Sequence, residues 1–211
     1  MVEKLVWNFD KDGQAAAEFA LKLVNSHYKS KFTKYLTNGV PMSEKSEYSM
    51  DGSHVKTVLV FDIDDTLITS KKQPLREIVK LFKDVQTKLP KSETYIVTAR
   101  LNDPGYKLET MEELKKIGVT GFKDLVHAPP KFRKNLGDVA IWKQRERIFS
   151  SEDSMAPYVT LTVGDQWGDI LSSVKTENDI RKLDNKYGSK NYMIFRSNDN
   201  VSLWGFKLPS N

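Results

Sequence analysis

Asp62 and Asp64 close an apolar run, Val58-Leu59-Val60-Phe61, and Thr66 follows them. Side chains alternate along an extended chain, so the two carboxylates share one side if the strand continues through them. Two such charges repel unless a cation sits between them. A hard divalent ion meets that need, because Mg²⁺ takes oxygen from one or two carboxylates and the rest from water or substrate phosphate. Further polar groups follow later in the chain: Thr98, Lys143 with Arg147 one helical turn on, and Gly164-Asp165-Gln166-Trp167-Gly168-Asp169.

Together these residue types suit phosphoryl transfer through a covalent intermediate. Asp62 would be the nucleophile, since a carboxylate can carry a phosphoryl group. Asp64 would protonate the leaving oxygen and then activate water. Asp165 would add a metal carboxylate, and Asp169 would bind the ion directly or through water, so the metal set is Asp62, Asp64, Asp165 and Asp169. Thr98 would donate to a phosphate oxygen, with Ala99 beside it, and Lys143 would neutralise the phosphate as a point charge. Two other uses of Asp-x-Asp fit less well. An EF-hand loop wants Gly at its sixth position and Glu at its twelfth, where this chain has Leu67 and Gln73. The metal-binding Asp-x-Asp of sugar-nucleotide transferases has no use for the late Gly-Asp-x-x-x-Asp and the upstream lysine.

The elements that must position these groups alternate along the chain. Strands are expected over 56–62, 93–98, 124–127, 157–163 and 191–195, separated by helices over 74–89, 106–117, 139–150 and 167–183. Repeated βα units imply a Rossmann-like α/β fold, a parallel sheet with helices on both faces. All strand C-termini of such a sheet lie on one edge, which is where ligands bind and where the polar groups would converge. Upstream, Ala16, Phe19, Ala20, Leu23, Val24 and Tyr28 recur at helical spacing behind Asp12, so a further helix is expected over 13–36. Residues 41–54 read as a polar linker. The expected organisation is an N-terminal helical extension and linker over 1–55 packed on a core over 56–211, with a modest insertion near 101–138. Only 36 positions separate Asp62 from Thr98, too few for a large lid, so a small cap or none is expected.

With 211 residues, 39% hydrophobic and 29% charged, the chain can bury a real core. The absence of cysteine removes disulfides, thiolate catalysis and cysteine metal sites. His27, His54 and His127 have no metal-ligand spacing. A net charge of +5 favours anionic partners such as phosphates. The lysines are dispersed, so nucleic acid is a possible partner but not the favoured one. No apolar run approaches the roughly 20 residues of a membrane span, and the first residues do not read as a signal peptide; a cytoplasmic location is expected.

Asp62-Ile63-Asp64-Asp65-Thr66, then Thr98, Lys143 and Gly164-Asp165 through Asp169, run in the order of the four motifs of the haloacid dehalogenase superfamily. The chain resembles that family over residues 56–196. Trp142-Lys143-Gln144-Arg145-Glu146-Arg147 followed by Gly-Asp-Gln-Trp-Gly-Asp is similar to the class B-like acid phosphatases, the group of plant vegetative storage proteins and bacterial lipoprotein acid phosphatases. The resemblance implies a Mg²⁺-dependent phosphomonoesterase acting on small phosphorylated substrates, nucleotides included, with Arg147 supporting the phosphate site. Lys143 is the preferred motif lysine over the nearby Lys131 and Lys134. A nucleic-acid end phosphatase, or a storage protein without catalysis on the same fold, are the alternatives; the presence of Asp62 counts against the latter.

Overall fold

The computed structural model describes residues 4–37, 57–89, 92–132, 135–149, 159–171, 173–196 and 202–210. Its elements are β1 (Lys4–Asn8), α1 (Gly13–Thr37), β2 (Thr57–Phe61), α2 (Arg76–Lys88), β3 (Ser92–Leu101), α3 (Pro104–Lys116), β4 (Asp124–Ala128), α4 (Leu136–Phe149), β5 (Val159–Gly164), α5 (Trp167–Ile170), α6 (Glu177–Tyr187), β6 (Met193–Arg196) and β7 (Ser202–Lys207). The strands form one seven-stranded sheet in the order β1-β6-β7-β5-β2-β3-β4. The linker expected over 41–54 lies outside the described residues.

β2 is buried at every position, as a central parallel strand covered on both faces must be. Alternate residues serve opposite sides. Leu59 and Phe61 join Ile78, Phe82 and Val85 of α2 and Ala16, Ala20 and Val24 of α1 in the main core. Val58 and Val60 pack with Tyr95, Val97 and Trp142 of α4 on the other face. A separate cluster of Trp167, Ile170, Ile180, Met193 and Phe195 joins α5 and α6 to the sheet. α2 forms because Ile78, Val79, Leu81, Phe82 and Val85 fall on one buried stripe, which the Phe61 ring meets edge-on at Phe82.

The α/β fold with helices on both faces stands, but the sheet is mixed rather than wholly parallel. β6 runs antiparallel to β7 and to β1, while β2, β3, β4, β5 and β7 pair in parallel. The physical reason is connection length: the few residues from Arg196 to Ser202 suffice for an antiparallel turn, whereas a parallel pair needs a crossover of a dozen or more. Two strands, β1 and β7, were not among those expected. The helix expected over 167–183 is two helices, broken where Thr176 caps α6: its hydroxyl accepts from Asp179 N, and the Asp179 carboxylate accepts from Thr176 N. β3 also runs on to Leu101, with a register shift against β4 between Thr98 and Leu101. Residues 101–138 carry α3 and β4, the latter an edge strand of the sheet. No helix among the described residues is long and apolar enough to cross a membrane.

Candidate active site

β2 and β5 are neighbours, and Asp62 N still donates to Val163 O across the end of their ladder. This puts the two acidic segments side by side at the same sheet edge. The chain leaving β2 folds tightly on itself: Thr66, Leu67 and Ile68 all donate backbone N–H to Ile63 O. Asp65 takes a left-handed conformation, φ 55°, which a short polar side chain tolerates. The turn carries Thr66 inward, fully buried, where its hydroxyl accepts from Asp165 N at 3.1 Å. Thr66 thereby ties the segment after β2 to the segment after β5.

On the β5 side, close packing brings α5 inward. A Cβ at Gly168 would collide with Ala140 of α4, and one at Gly164 would collide with the Asp169 side chain. With glycine at both places α5 lies directly against α4, and Asp169 reaches Lys143. Behind this contact Arg147, 1% exposed, donates to the carbonyl oxygens of Gly168 and Asp169. These carbonyls belong to a helix of one turn, where backbone acceptors lack intrahelical donors.

The result is a buried cluster. The Lys143 ammonium donates to Asp62 Oδ1 and Asp169 Oδ1, each at 2.6 Å. Asp62, Asp165 and Asp169 each offer a carboxylate oxygen, and the three lie within 4.8 Å of one another. The donor set is all hard oxygen and could hold a divalent metal. Burial pushes the Asp62 carboxyl up to about 8, against the pull of Lys143 and with Asp169 and Asp165 adding to the rise. Burial and then Asp169 push Asp165 up to about 7. Burial alone would lower Lys143, but Asp169 and Asp62 outweigh it and hold the ammonium charged. Burial is the largest cause for all three groups, and the charges they share set the direction only for Lys143.

The cluster forms the floor of a cleft of about 220 Å³, also lined by Asp64, Asp65, Ala99, Leu136, Val139, Ala140, Gln166, Gly168 and Ile180. Five aspartates thus line the cleft with Lys143.

The sequence-expected residues divide between the floor and its surroundings. Asp62, Lys143, Asp165 and Asp169 meet at the floor. Asp64 lines the cleft but stands apart from the buried three. Its side chain is 57% exposed, and both its oxygens are held by Arg100, through Nη2 at 2.6 Å and Nε at 2.9 Å. Arg100 in turn bonds Glu113 of α3 at 2.6 Å, and Glu113 receives Lys72 at 2.8 Å. Ala99 lines the cleft. Thr98 is fully buried beside it, its hydroxyl accepting from Arg100 N. Arg147 braces α5 from behind. Lys131 lies on the turn Pro130–Phe132 with its ammonium over the Phe132 ring, and Lys134 lies outside the described residues. His127 is buried in β4, paired in register with Thr98.

Three contributors escaped the sequence reading. Arg100 could have been suspected, being two positions past Thr98 at a strand end. Thr66 belongs to the motif but carried no assigned role. Lys207, wholly buried at the end of β7 opposite Gly164, had no sequence signal at all. Burial lowers its ammonium to about 8. It donates to Leu208 O and Ser210 Oγ, and the Ser210 hydroxyl donates to Asp165 O at 2.6 Å.

No protein-family model matches the chain, and no curated protein matches it. Among solved structures, the class C acid phosphatase from Bacillus anthracis is similar with a TM-score of 0.47 and 14% identity, over 95% of this chain and 84% of that one. At that distance the likeness carries no argument about activity, and the functional case rests on the side chains of the cleft.

Proposed function

We propose that this chain is a Mg²⁺-dependent phosphomonoester hydrolase of the haloacid dehalogenase type, resembling the class B-like acid phosphatases, that works through an aspartyl-phosphate. The observation that carries this reading is the buried set of Asp62, Asp165 and Asp169 around Lys143, drawn from the ends of two adjacent strands. A structural ion-pair cluster of this kind would be balanced in charge. This one has more carboxylates than cations and opens into a cleft, as a site awaiting a divalent ion and an anion would.

Asp62, Asp165 and Asp169 would hold the ion. When bound, it would screen the nucleophile from the phosphate and polarise the phosphoryl oxygens. The chain's own residues do the rest. An Asp62 oxygen bonds to phosphorus while the bond from phosphorus to the alcohol oxygen breaks, and Asp64 delivers a proton to that oxygen. Water then attacks the same phosphorus, Asp64 takes a proton from it, and the acyl-phosphate bond breaks to return Asp62 and free phosphate. Lys143, held charged beside Asp62, offsets the charge that builds on the transferring group. Asp64 starts at the lip of the cleft as a carboxylate in its two-pronged salt bridge, so it must leave Arg100 and take up a proton from solvent before it can deliver one to the leaving oxygen; the proton it later takes from water restores it for the next turnover. Thr98 and Ala99 would flank the phosphate at the end of β3.

The test is a panel of small phosphomonoesters, with and without Mg²⁺, on the wild type and Asp62→Asn. Phosphate release that needs Mg²⁺ and vanishes in the variant is expected. Release that survives Asp62→Asn would remove Asp62 as nucleophile, and no release from any phosphomonoester would remove the hydrolase reading.

A further inference from the structure

Asp165 stands one residue past the end of β5. It is beyond the ladder that would satisfy its backbone, so its N–H and C=O need partners elsewhere. Side chains supply both. Thr66 Oγ accepts from Asp165 N at 3.1 Å, and the Ser210 hydroxyl donates to Asp165 O at 2.6 Å. The carboxylate is held as well, Gln166 Nε2 donating to its Oδ2 at 2.5 Å. Thr66 and Gln166 belong to the two acidic segments themselves. Ser210 comes from the segment after β7, which the chemistry at phosphorus does not use and which does not line the cleft.

That segment holds Ser210 from every side. Lys207 pairs in register with Gly164, and Leu208 N donates to Gly164 O at 2.9 Å. Ser210 N donates to Ser189 O at 2.7 Å, and Ser210 O accepts from Lys190 Nζ at 2.7 Å. The Ser210 hydroxyl accepts from Lys207 Nζ at 2.8 Å. An ammonium can only donate, so the single hydroxyl proton is left for Asp165 O. A charged donor also polarises the hydroxyl and strengthens the bond it makes in turn. Lys207 itself gains little from this arrangement. It is wholly buried, the oxygens it donates to belong to a neutral carbonyl and a neutral hydroxyl, and its ammonium lies 5.1 Å from the centre of the Trp167 ring. Burial disfavours its charge, so an apolar side chain of similar length would serve packing better.

We infer, resting on the metal-dependent reading above, that Ser210, oriented by Lys207, is a positioning residue for the divalent ion. It fixes the Asp165 peptide so that the Asp165 carboxylate stands with those of Asp62 and Asp169, their oxygens within 4.8 Å of one another. Neither Ser210 nor Lys207 is a ligand. Their effect passes through one carbonyl, as that of the outer partners of metal ligands does. Charge by itself would give Lys207 the opposite effect, because a cation beside the cluster repels an incoming one. The sign of its effect on ion binding therefore separates orientation from charge.

Mg²⁺ is titrated calorimetrically into the wild type, Ser210→Ala, Ser210→Thr and Lys207→Met, and each metal-free protein is melted. Ser210→Ala is expected to weaken Mg²⁺ binding about tenfold. Ser210→Thr keeps the hydroxyl and should bind as the wild type does. Lys207→Met should weaken Mg²⁺ binding although it removes a positive charge, while its metal-free melting temperature stays level or rises. Unchanged affinity in Ser210→Ala, an equal loss in Ser210→Thr, tighter binding in Lys207→Met, or losses that merely follow a lower melting temperature would overturn the inference. The titration reads ion binding and not turnover, so the two readings can fail separately. Normal affinity in Ser210→Ala sinks the positioning role and leaves the hydrolase reading standing. The expected affinities without phosphate release from any ester sink the hydrolase reading and leave the positioning role intact, and a wild type that binds no Mg²⁺ sinks both.

Discussion

At the floor of the cleft the decisive quantity is charge balance. Asp62 and Asp165 have carboxyls raised well above the ordinary range, first by burial. A group whose folded pKa exceeds its unfolded one binds more protons folded than unfolded between the two values, so stability falls as pH rises across that window. The metal-free protein should therefore lose thermal stability as pH climbs from about 4 towards 8, the reverse of the usual behaviour of a salt-bridged carboxylate. Saturating Mg²⁺ should flatten the slope and raise the melting temperature most at the alkaline end. Melting curves at stepped pH, with and without the ion, check both. Lys143→Met probes the same balance. Removing one partner of a buried ion pair costs roughly 3–5 kcal/mol, and here the loss should be greatest near pH 8. Near pH 5 it should shrink, because the carboxylates can take up protons instead.

At the scale of elements, the site depends on α5 lying hard against α4. Arg147 secures that contact through two backbone carbonyls. Hydrogen bonds from a charged donor contribute about 1.5–3 kcal/mol, so Arg147→Met should lower the melting temperature by several degrees in a chain of this size. It should also weaken divalent-ion binding measured directly by titration, because α5 carries Asp169. Which elements could be read from the residues follows from how strongly each is marked. β2 and α2 are unmistakable, the first an unbroken apolar run and the second a clean stripe ending in Lys88. The division of 167–183 was legible too, since Thr176 and Asp179 form a capping box, but the apolar residues on either side masked it. β1 and β7 were not legible. β1 is short and half-exposed at a sheet edge, and β7 is interrupted by Gly205, against which Ile170 of α5 packs. Such strands are specified by their partners more than by their own pattern.

Across the whole molecule, strand order matters more than strand content. β2 sits between β5 and β3, so the two acidic loops and the end of β3 meet without any long excursion of chain. The places of Asp62 and Asp165 at the ends of two strands were enough to anticipate their meeting, because parallel strands deliver their C-terminal ends to one edge; Lys143 reaches them from α4, and Thr98 is buried behind Ala99 without lining the cleft. The details of Asp64 were not foreseeable. Alternation along β2 suggested that it would stand with Asp62, but the chain turns sharply at Ile63 and Asp65, and Arg100 takes the Asp64 carboxylate to the lip. The reversal of β6, set by the short connection to β7, leaves this edge untouched because β6 lies beyond β7 from the cleft.

The account is tested most directly by trapping the intermediate. The protein is mixed with an aryl phosphate and Mg²⁺, quenched during turnover, reduced with borohydride and mapped by peptide mass spectrometry. An acyl-phosphate on Asp62 would appear as homoserine at position 62, present with Mg²⁺, absent without it and absent in Asp62→Asn. Steady phosphate release with no modification at position 62, undiminished in Asp62→Asn, would contradict it.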